Sequence, residues 1–543
     1  MTAIHQGGTP ADDTAEPDPL GLLGATVRNR WASVRGPLFC DMYEPTMAQV
    51  YVRTGLAHRP AQFDAFYRSN PDYGTHQAGY CISAGLGPFC DWLAGLRVSD
   101  EEIAALGALR APGGGPLFGP EFLDWIADPG LFAELEIHAI GEGRVVHPNE
   151  PIVSVTGPLA AAQLIETALL NFVNYPTLIA TKASRVVSAT RGGRVLEFGM
   201  RRGPATGVND GIRAALIGGC ESTSNVEAAI ATGYRPSGTL AHSLIQAFLA
   251  LGMGELEAFR ASAAAAPDEC ILLVDTIDTL RSGVPNAVTV FGELRAAGHE
   301  PVGVRLDSGD LAYLAVQTAR LLDDGGFVDA AIVMSSDLDE LTIWQIRDQI
   351  GDDARRSGLD PGPILDRLVY GVGTRLITSA GDSALNGVYK LVGIADADGS
   401  WLPAIKVSED PGKVPLPSRK LVWRLYDHRG TAVTDLVGLA DEVPLAHEEN
   451  IVHHPVQAGV HKIIRRADIG HIEPLLEAVD VAGAQPSVAE LAARCRSDVD
   501  RLDVGVQRLV NPHRYHVSVT DALHRLRADL LARLDGQEAS RTL

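Results

Sequence analysis

The sequence predicts an α/β fold built as a barrel or near-barrel of successive βα units. Three observations carry this. Short apolar runs rich in Val, Ile and Leu recur, as RVLEFG (194–199), RPSGTL (235–240), ILLVDT (271–276), VGVRLD (302–307), AAIVMSSD (330–337) and RLVYGVGT (367–374). They lie roughly 30 to 40 residues apart. Each is followed by a polar or Gly-containing turn and then by helical periodicity, as in LAYLAVQTARLLDDGG and LDELTIWQIRDQIG. Strands apolar on both faces and separated by helices belong to a parallel sheet, and six units in succession favour a barrel over an open sheet.

Taken in order, the first 25 residues are acidic and rich in Pro and Gly, and read as a disordered leader. They hold neither a basic segment nor a long apolar one, so no signal peptide is expected. Residues 26–160 read as a mixed α/β domain, with VVHPNEPIVSVTGP (145–158) as a short hairpin region. The barrel is expected over 161–383. After it, NGVYKLVGIADADGSWLPAIKVS reads as a β hairpin around DADG. From 471 to 543 the patterns PSVAELAARCRSDVDRL and SVTDALHRLRADLLARL indicate helices.

Composition excludes several classes. With 46 Lys+Arg against 68 Asp+Glu the chain carries −22, the wrong sign for a protein whose main partner is a nucleic-acid backbone. No window is apolar enough to span a membrane, and six cysteines without a CxxC pair fit reduced thiols, so a cytoplasmic protein is expected. Only six of the basic residues are Lys, and none lies between Lys182 and Lys390. A barrel aldolase with a Schiff-base lysine at a strand end is thereby disfavoured.

The chemistry sits where barrel enzymes place it, at the C-terminal ends of the strands. Arg201 and Arg202 follow LEFG; His242 and Ser243 follow GTLA; Asp275 and Asp278 flank VDTID; Arg305, Asp307 and Asp310 lie in VRLDSGD; Ser335, Ser336 and Asp337 lie in MSSD; Gly371, Gly373 and Thr374 close the series. Any one cluster could be turn or cap chemistry. Six at equivalent positions, with three arginines among acids, predict a site for a multiply anionic substrate and a divalent cation. GVGT could cradle a phosphate on its backbone amides, and no P-loop is present.

The strings CDMYEPTMAQVY (40–51), LEFGMRRG (196–203), GGCESTSNVEAA (218–229), SGTLAHSLIQAF (237–248), LLVDTIDTLRSGVPNA (272–287), GVRLDSGDLAYL (303–314), MSSDLDE (334–340), GVGTRLITS (371–379) and GVYKLV (387–392) together resemble the nicotinate phosphoribosyltransferase family, in its order. KVSEDPGKVPLPSRK (406–420) and NPHRYHVSVTDAL (511–523) extend the resemblance over nearly the whole chain. It implies an irregular barrel of the type II phosphoribosyltransferase kind, with residues 384–470 returning to the N-terminal domain. It also implies condensation of nicotinate with phosphoribosyl pyrophosphate to nicotinate mononucleotide and pyrophosphate, the first step of NAD salvage from nicotinate. ATP hydrolysis is coupled to this reaction, Mg²⁺ is the cofactor, and a homodimer shares its active sites.

Residue by residue, the resemblance implies that His242 is the ATP-phosphorylated histidine. Tyr43 from the other subunit stacks on the pyridine ring, and Arg201 and Arg305 contact carboxylate and phosphate, with Ser243 a neighbouring contact. The phosphoribosyl group falls to Asp275, Asp307, Asp337, Gly373 and Thr374, with Asp275 and Asp307 as metal ligands. Many relatives carry Asn where this chain has Ser336 or Asp337. Nicotinamide or quinolinate as the substrate, or a non-catalytic ligand-binding relative, are the competing readings.

Overall fold

The computed structural model describes residues 36–406, 414–442, 450–456 and 462–541. The expected leader and part of the 406–420 string lie outside the described residues. The chain forms two compact units. Of the described residues the first takes 36–60 with Gly95–Leu135 and Gly157–Ala168, and is helical, with helices Tyr43–Arg53, Asp100–Ala108, Pro120–Ile126 and Leu159–Leu164. Ser99 starts the second of these helices through a reciprocal capping box with Glu102. Phe118 and Phe122 stack in this unit with ring centroids 4.9 Å apart.

The second unit holds Ala61–Ala94, Glu136–Thr156 and Leu169–Leu543. Its strands begin with β1 (Pro60–Tyr67, entering from the unit boundary), β2 (Cys81–Ile82), β3 (Glu136–Ile140), β4 (Val145–Val146) and β5 (Val153–Pro158). Then come β6 (Arg194–Glu197), β7 (Ser222–Thr223), β8 (Ile271–Leu273), β9 (Gly303–Leu306), β10 (Ala331–Ser335) and β11 (Leu368–Val372). The remainder are β12 (Gly387–Ala395), β13 (Trp401–Pro403), β14 (Lys420–Asp427), β15 (Ala432–Leu439), β16 (Asn450–Pro455), β17 (Lys462–Arg465), β18 (Ile469–Pro474), β19 (Leu476–Val479) and β20 (Val517–Thr520).

The central sheet has the order β7-β6-β11-β10-β9-β8, and every neighbouring pair is parallel. Five of the six expected runs form strands in it. It curls into a half-barrel and stays open, with β7 and β8 as its edges. RPSGTL does not become a strand: Pro236 lacks an amide to donate and Gly238 adds no side chain to pack, which together weaken a ladder. The segment instead runs extended beside β7, with the Ser237 amide donating to the Thr223 carbonyl at 2.9 Å. The edge strand β7, only two residues long, gave no periodic signal. Helices Val284–Ala296, Leu311–Asp324 and Glu340–Arg356 connect successive strands on the outside of the sheet, and their small and branched residues are buried with Val304, Leu306, Ile332 and Met334.

The hairpin expected at 145–158 is corrected. β4 pairs with β2, whereas β5 lies between β1 and β3 in a different sheet. Pro148 and Pro151, without amide donors, interrupt any direct ladder between them. The hairpin at DADG forms as β12 and β13, with Ala395 opposite Trp401 and Gly399 at φ +83° in the turn. β12 also pairs antiparallel with β1, so chain from beyond the barrel returns to the earlier strands. Past 470, helices Val488–Asp500 and Asp521–Arg541 fall on the two helical patterns, beside β19 and β20. No helix among the described residues is long and apolar enough to cross a membrane.

One buried ionic cluster ties these parts together. Glu340, fully buried, takes Lys182 at 2.8 Å, His76 at 2.8 Å and Arg185 at 3.2 Å, and Lys182 lies over the Tyr73 ring. Burial opposes ionisation of Glu340, but the hydrogen bond from His76 and the charges of Lys182 and Arg185 prevail and lower its pKa to about 2. Against an unfolded value near ~4.3, its contribution to stability is complete above about pH 5 and is lost as the pH falls towards 2. Glu340→Gln leaves Lys182 buried beside a neutral amide, so a loss of about 3–5 kcal/mol is expected in urea titration at pH 7. The difference between variant and parent should shrink at pH 3.

Candidate active site

The C-terminal ends of β8, β9 and β10 converge on one polar cluster. Arg305, on β9, holds its guanidinium in three directions: Nε donates to Ser335 Oγ at 2.9 Å, Nη1 to Thr239 Oγ1 at 3.0 Å, and Nη2 to Asp307 Oδ1 at 2.8 Å. Its Cζ lies 5.7 Å from the centroid of the Phe198 ring. Ser335 donates in turn to Asp307 Oδ1 at 2.5 Å. Burial would raise the Asp307 pKa, but the Ser335 hydroxyl, Arg305 and His242 outweigh it and hold the carboxyl below its usual value.

His242 opens the helix His242–Ala250. Its Nδ1 is 3.0 Å from Thr276 Oγ1, which turns Nε2 towards two carboxylates, 3.9 Å from Asp275 Oδ1 and 3.7 Å from Asp307 Oδ2. The imidazole is 37% exposed, open enough to be reached by a phosphorylated ligand. Asp275 Oδ2 accepts from the Asp307 amide and from Ser308 Oγ, while its buried Oδ1 has no hydrogen-bond partner. An unpartnered buried carboxylate oxygen beside a second carboxylate fits Mg²⁺, a cation that takes one or two protein carboxylates and completes its octahedron with water and phosphate oxygens. Among the described residues there is no group of three or more His, Cys, Asp and Glu able to hold a metal ion by themselves.

The other expected residues stand at neighbouring strand ends. Asp337 is exposed after β10, in a turn where Ser336 and Asp337 both take positive φ, +114° and +41°. Such conformations cost of order 1–3 kcal/mol each and gather at ligand sites. Gly373 and the exposed Thr374 follow β11, which is paired in register with β10 through Ser335 and Gly371. A Cβ at Gly371 would lie 2.6 Å from two ring carbons of Phe198, so only Gly lets that ring lie beside Arg305. Arg201 and Arg202 are exposed on the 3₁₀ turn after β6, and Ser243 is exposed on the helix behind His242. None of these touches the Arg305 cluster directly. Tyr43, in the first unit, is 45% exposed at the start of its helix.

Asp278 and Asp310 have turned out to be caps: Asp278 accepts from the Leu280 and Arg281 amides, and Asp310 from the Tyr313 amide. Sequence reasoning missed Thr276, Thr239, Ser308 and Phe198. Thr276 and Ser308 each directly follow a singled-out aspartate, so adjacency was the available signal. Thr239 gave none, because its segment was read as a strand.

A parallel α/β half-barrel that gathers an arginine, two carboxylates and an accessible histidine at its strand ends defines an enzyme that handles a phosphorylated anionic substrate. Comparison with known proteins supplies the family. The family model described as the nicotinate phosphoribosyltransferase N-terminal domain matches residues 38–174, and the one described as its C-terminal domain matches 419–527. Nicotinate phosphoribosyltransferase of Bacillus subtilis is 36% identical over 89% of this chain and 93% of its own length. The human enzyme of that name is 32% identical over 91% and 97%. The crystal structure of human nicotinic acid phosphoribosyltransferase superposes with a TM-score of 0.70, at 28% identity over 90% of this chain and 99% of that one. The fold alone is shared with nicotinate-nucleotide pyrophosphorylase from Pyrococcus furiosus, at a TM-score of 0.60 and 19% identity over 91% and 99%. The chain belongs to the nicotinate phosphoribosyltransferase family.

Proposed function

We propose that this protein transfers the phosphoribosyl group of phosphoribosyl pyrophosphate to the ring nitrogen of nicotinate, giving nicotinate mononucleotide and pyrophosphate, with ATP hydrolysis coupled through His242. The observation that carries the coupling is the His242 geometry, with one ring nitrogen held by Thr276 and the other facing Asp275 and Asp307. With the proton on Nδ1, donated to Thr276 Oγ1, Nε2 keeps its lone pair. That lone pair attacks the γ-phosphorus of ATP; the Nε2–P bond forms, the bond to the β,γ-bridging oxygen breaks, and ADP leaves. Water later hydrolyses the phosphohistidine to restore the imidazole.

In the transfer itself the bond from C1 of the ribose to pyrophosphate breaks through an oxocarbenium-like state, and the nicotinate nitrogen attacks with its free lone pair. Nicotinate needs no general base. Arg305, fixed in three directions, neutralises substrate charge, and Arg201 is placed to contact a carboxylate or phosphate. Asp337, Gly373 and Thr374 follow adjacent strands and are suited to the ribose hydroxyls and phosphate, with Ser243 a further phosphate contact. Asp275 and Asp307 would hold Mg²⁺, which when bound neutralises the departing pyrophosphate. Tyr43 of a second copy would stack on the pyridine ring of a shared site in a homodimer. The cytoplasm, where these substrates occur together, is the compartment this reading implies.

The test is transfer of label from [γ-³²P]ATP to protein. The expected result is acid-labile, base-stable label on the peptide containing His242, discharged by adding phosphoribosyl pyrophosphate and nicotinate. Label on another residue, or none, contradicts the coupling.

A further inference from the structure

A cavity of about 550 Å³ opens in the second unit, and none of its lining residues belongs to the Arg305 cluster. Four chain segments far apart in sequence build it: the loop through Asn70, His147 with Pro148, Pro455 with Val456, and the stretch through Pro512, Arg514 and Tyr515. Its size lies within the range of small-molecule sites and well above what an inorganic anion fills.

Its one acid is Asp72, whose carboxylate accepts from the Gly74 amide and Gln77 Nε2. His147 is 1% exposed, stacks on Tyr515 at 3.8 Å between centroids and 11° between planes, and has no hydrogen-bond partner at either ring nitrogen. Burial lowers its pKa to about 3, so at neutral pH the ring is uncharged, with one N–H to donate and one lone pair to accept. The neutral, stacked ring therefore serves the cavity as wall rather than as a charge. Arg514 is exposed at the cavity and makes no hydrogen bond or ion pair with the described residues, in a chain whose net charge of −22 offers many acids to pair with. Asn70 uses its Oδ1 to accept from Tyr67, which leaves its amide donors free. The stacked His147 and Tyr515 with Pro148 and Pro512 form an apolar, partly aromatic wall. Unused donors and a free cation beside such a wall suit a ligand with a planar ring and an anionic tail.

We infer that this cavity is a second ligand site, separate from the catalytic cluster, for a mononucleotide: a heteroaromatic base bearing one phosphate. The phosphate meets Arg514 and Asn70, and the base lies along the proline and aromatic wall. The inference does not depend on which pyridine the barrel site uses.

Isothermal titration of the full chain with AMP and, separately, with nicotinate mononucleotide tests it, with inorganic phosphate as the third probe. Titrations are run on Asp307→Asn, which weakens the barrel site, and on the same chain carrying Arg514→Ala or Arg514→Lys. The expected result is saturable binding of at least one mononucleotide to Asp307→Asn, weakened at least tenfold by Arg514→Ala and less by Arg514→Lys, with phosphate binding far more weakly. The base that binds tighter identifies the source. Arg514→Ala alone should keep the parent turnover at low nucleotide, which shows that its fold is intact. Equal binding with and without Arg514, phosphate binding as tightly as either mononucleotide, or no mononucleotide binding to Asp307→Asn, overturns the inference.

Discussion

Replacing His242 by Ala should abolish the ATP-stimulated part of turnover while leaving a slow, ATP-independent transfer. Asp275 and Asp307 face the same space, but Asp275 Oδ2 is engaged with the Asp307 amide and Ser308, and Asp307 Oδ1 with Arg305 and Ser335. The imidazole is partly exposed and spans only one side-chain bond to the protein, through Thr276, so its removal should cost little stability. Steady-state assays with and without ATP separate the two effects. Full ATP coupling in His242→Ala would show that the phosphoryl group passes elsewhere.

Replacing Arg305 by Lys should lower kcat/KM by ~100-fold or more, the scale on which a preorganised charge donor acts. An ammonium keeps the charge but cannot reach Ser335, Thr239 and Asp307 from one planar fork. The loss should therefore appear largely in kcat. Asp307 loses part of what keeps it ionised, so the acidic limb of the pH–rate profile should move to higher pH in the variant. A Lys variant with parent kinetics would mean that Arg305 only props the strand ends.

Much of the site was legible because barrel topology makes sequence position informative. A polar residue closing an apolar run marks a strand's C-terminal end, and Asp275 and Asp307 followed that rule, whereas Arg305 lies within β9 and His242 follows a segment that is not a strand. Convergence was not legible: that Arg305 reaches Thr239 across 66 positions depends on the extended path of 234–241, which Pro236 and Gly238 keep out of the ladder. Asp278 and Asp310 carried the same local signal as Asp275 and Asp307 but serve their own helix N-termini, a choice fixed by backbone direction rather than residue type. The open side of the sheet between β7 and β8 had no counterpart in strand spacing. The buried Glu340 cluster was invisible as well, since Lys182, His76 and Glu340 are brought together only by packing.

The most direct test of the account is a product assay that offers nicotinate, nicotinamide and quinolinate in parallel with phosphoribosyl pyrophosphate, with and without ATP. The account predicts mononucleotide from nicotinate, formed faster and further when ATP is present. Product from nicotinamide alone, or from nicotinate with no response to ATP, would contradict it.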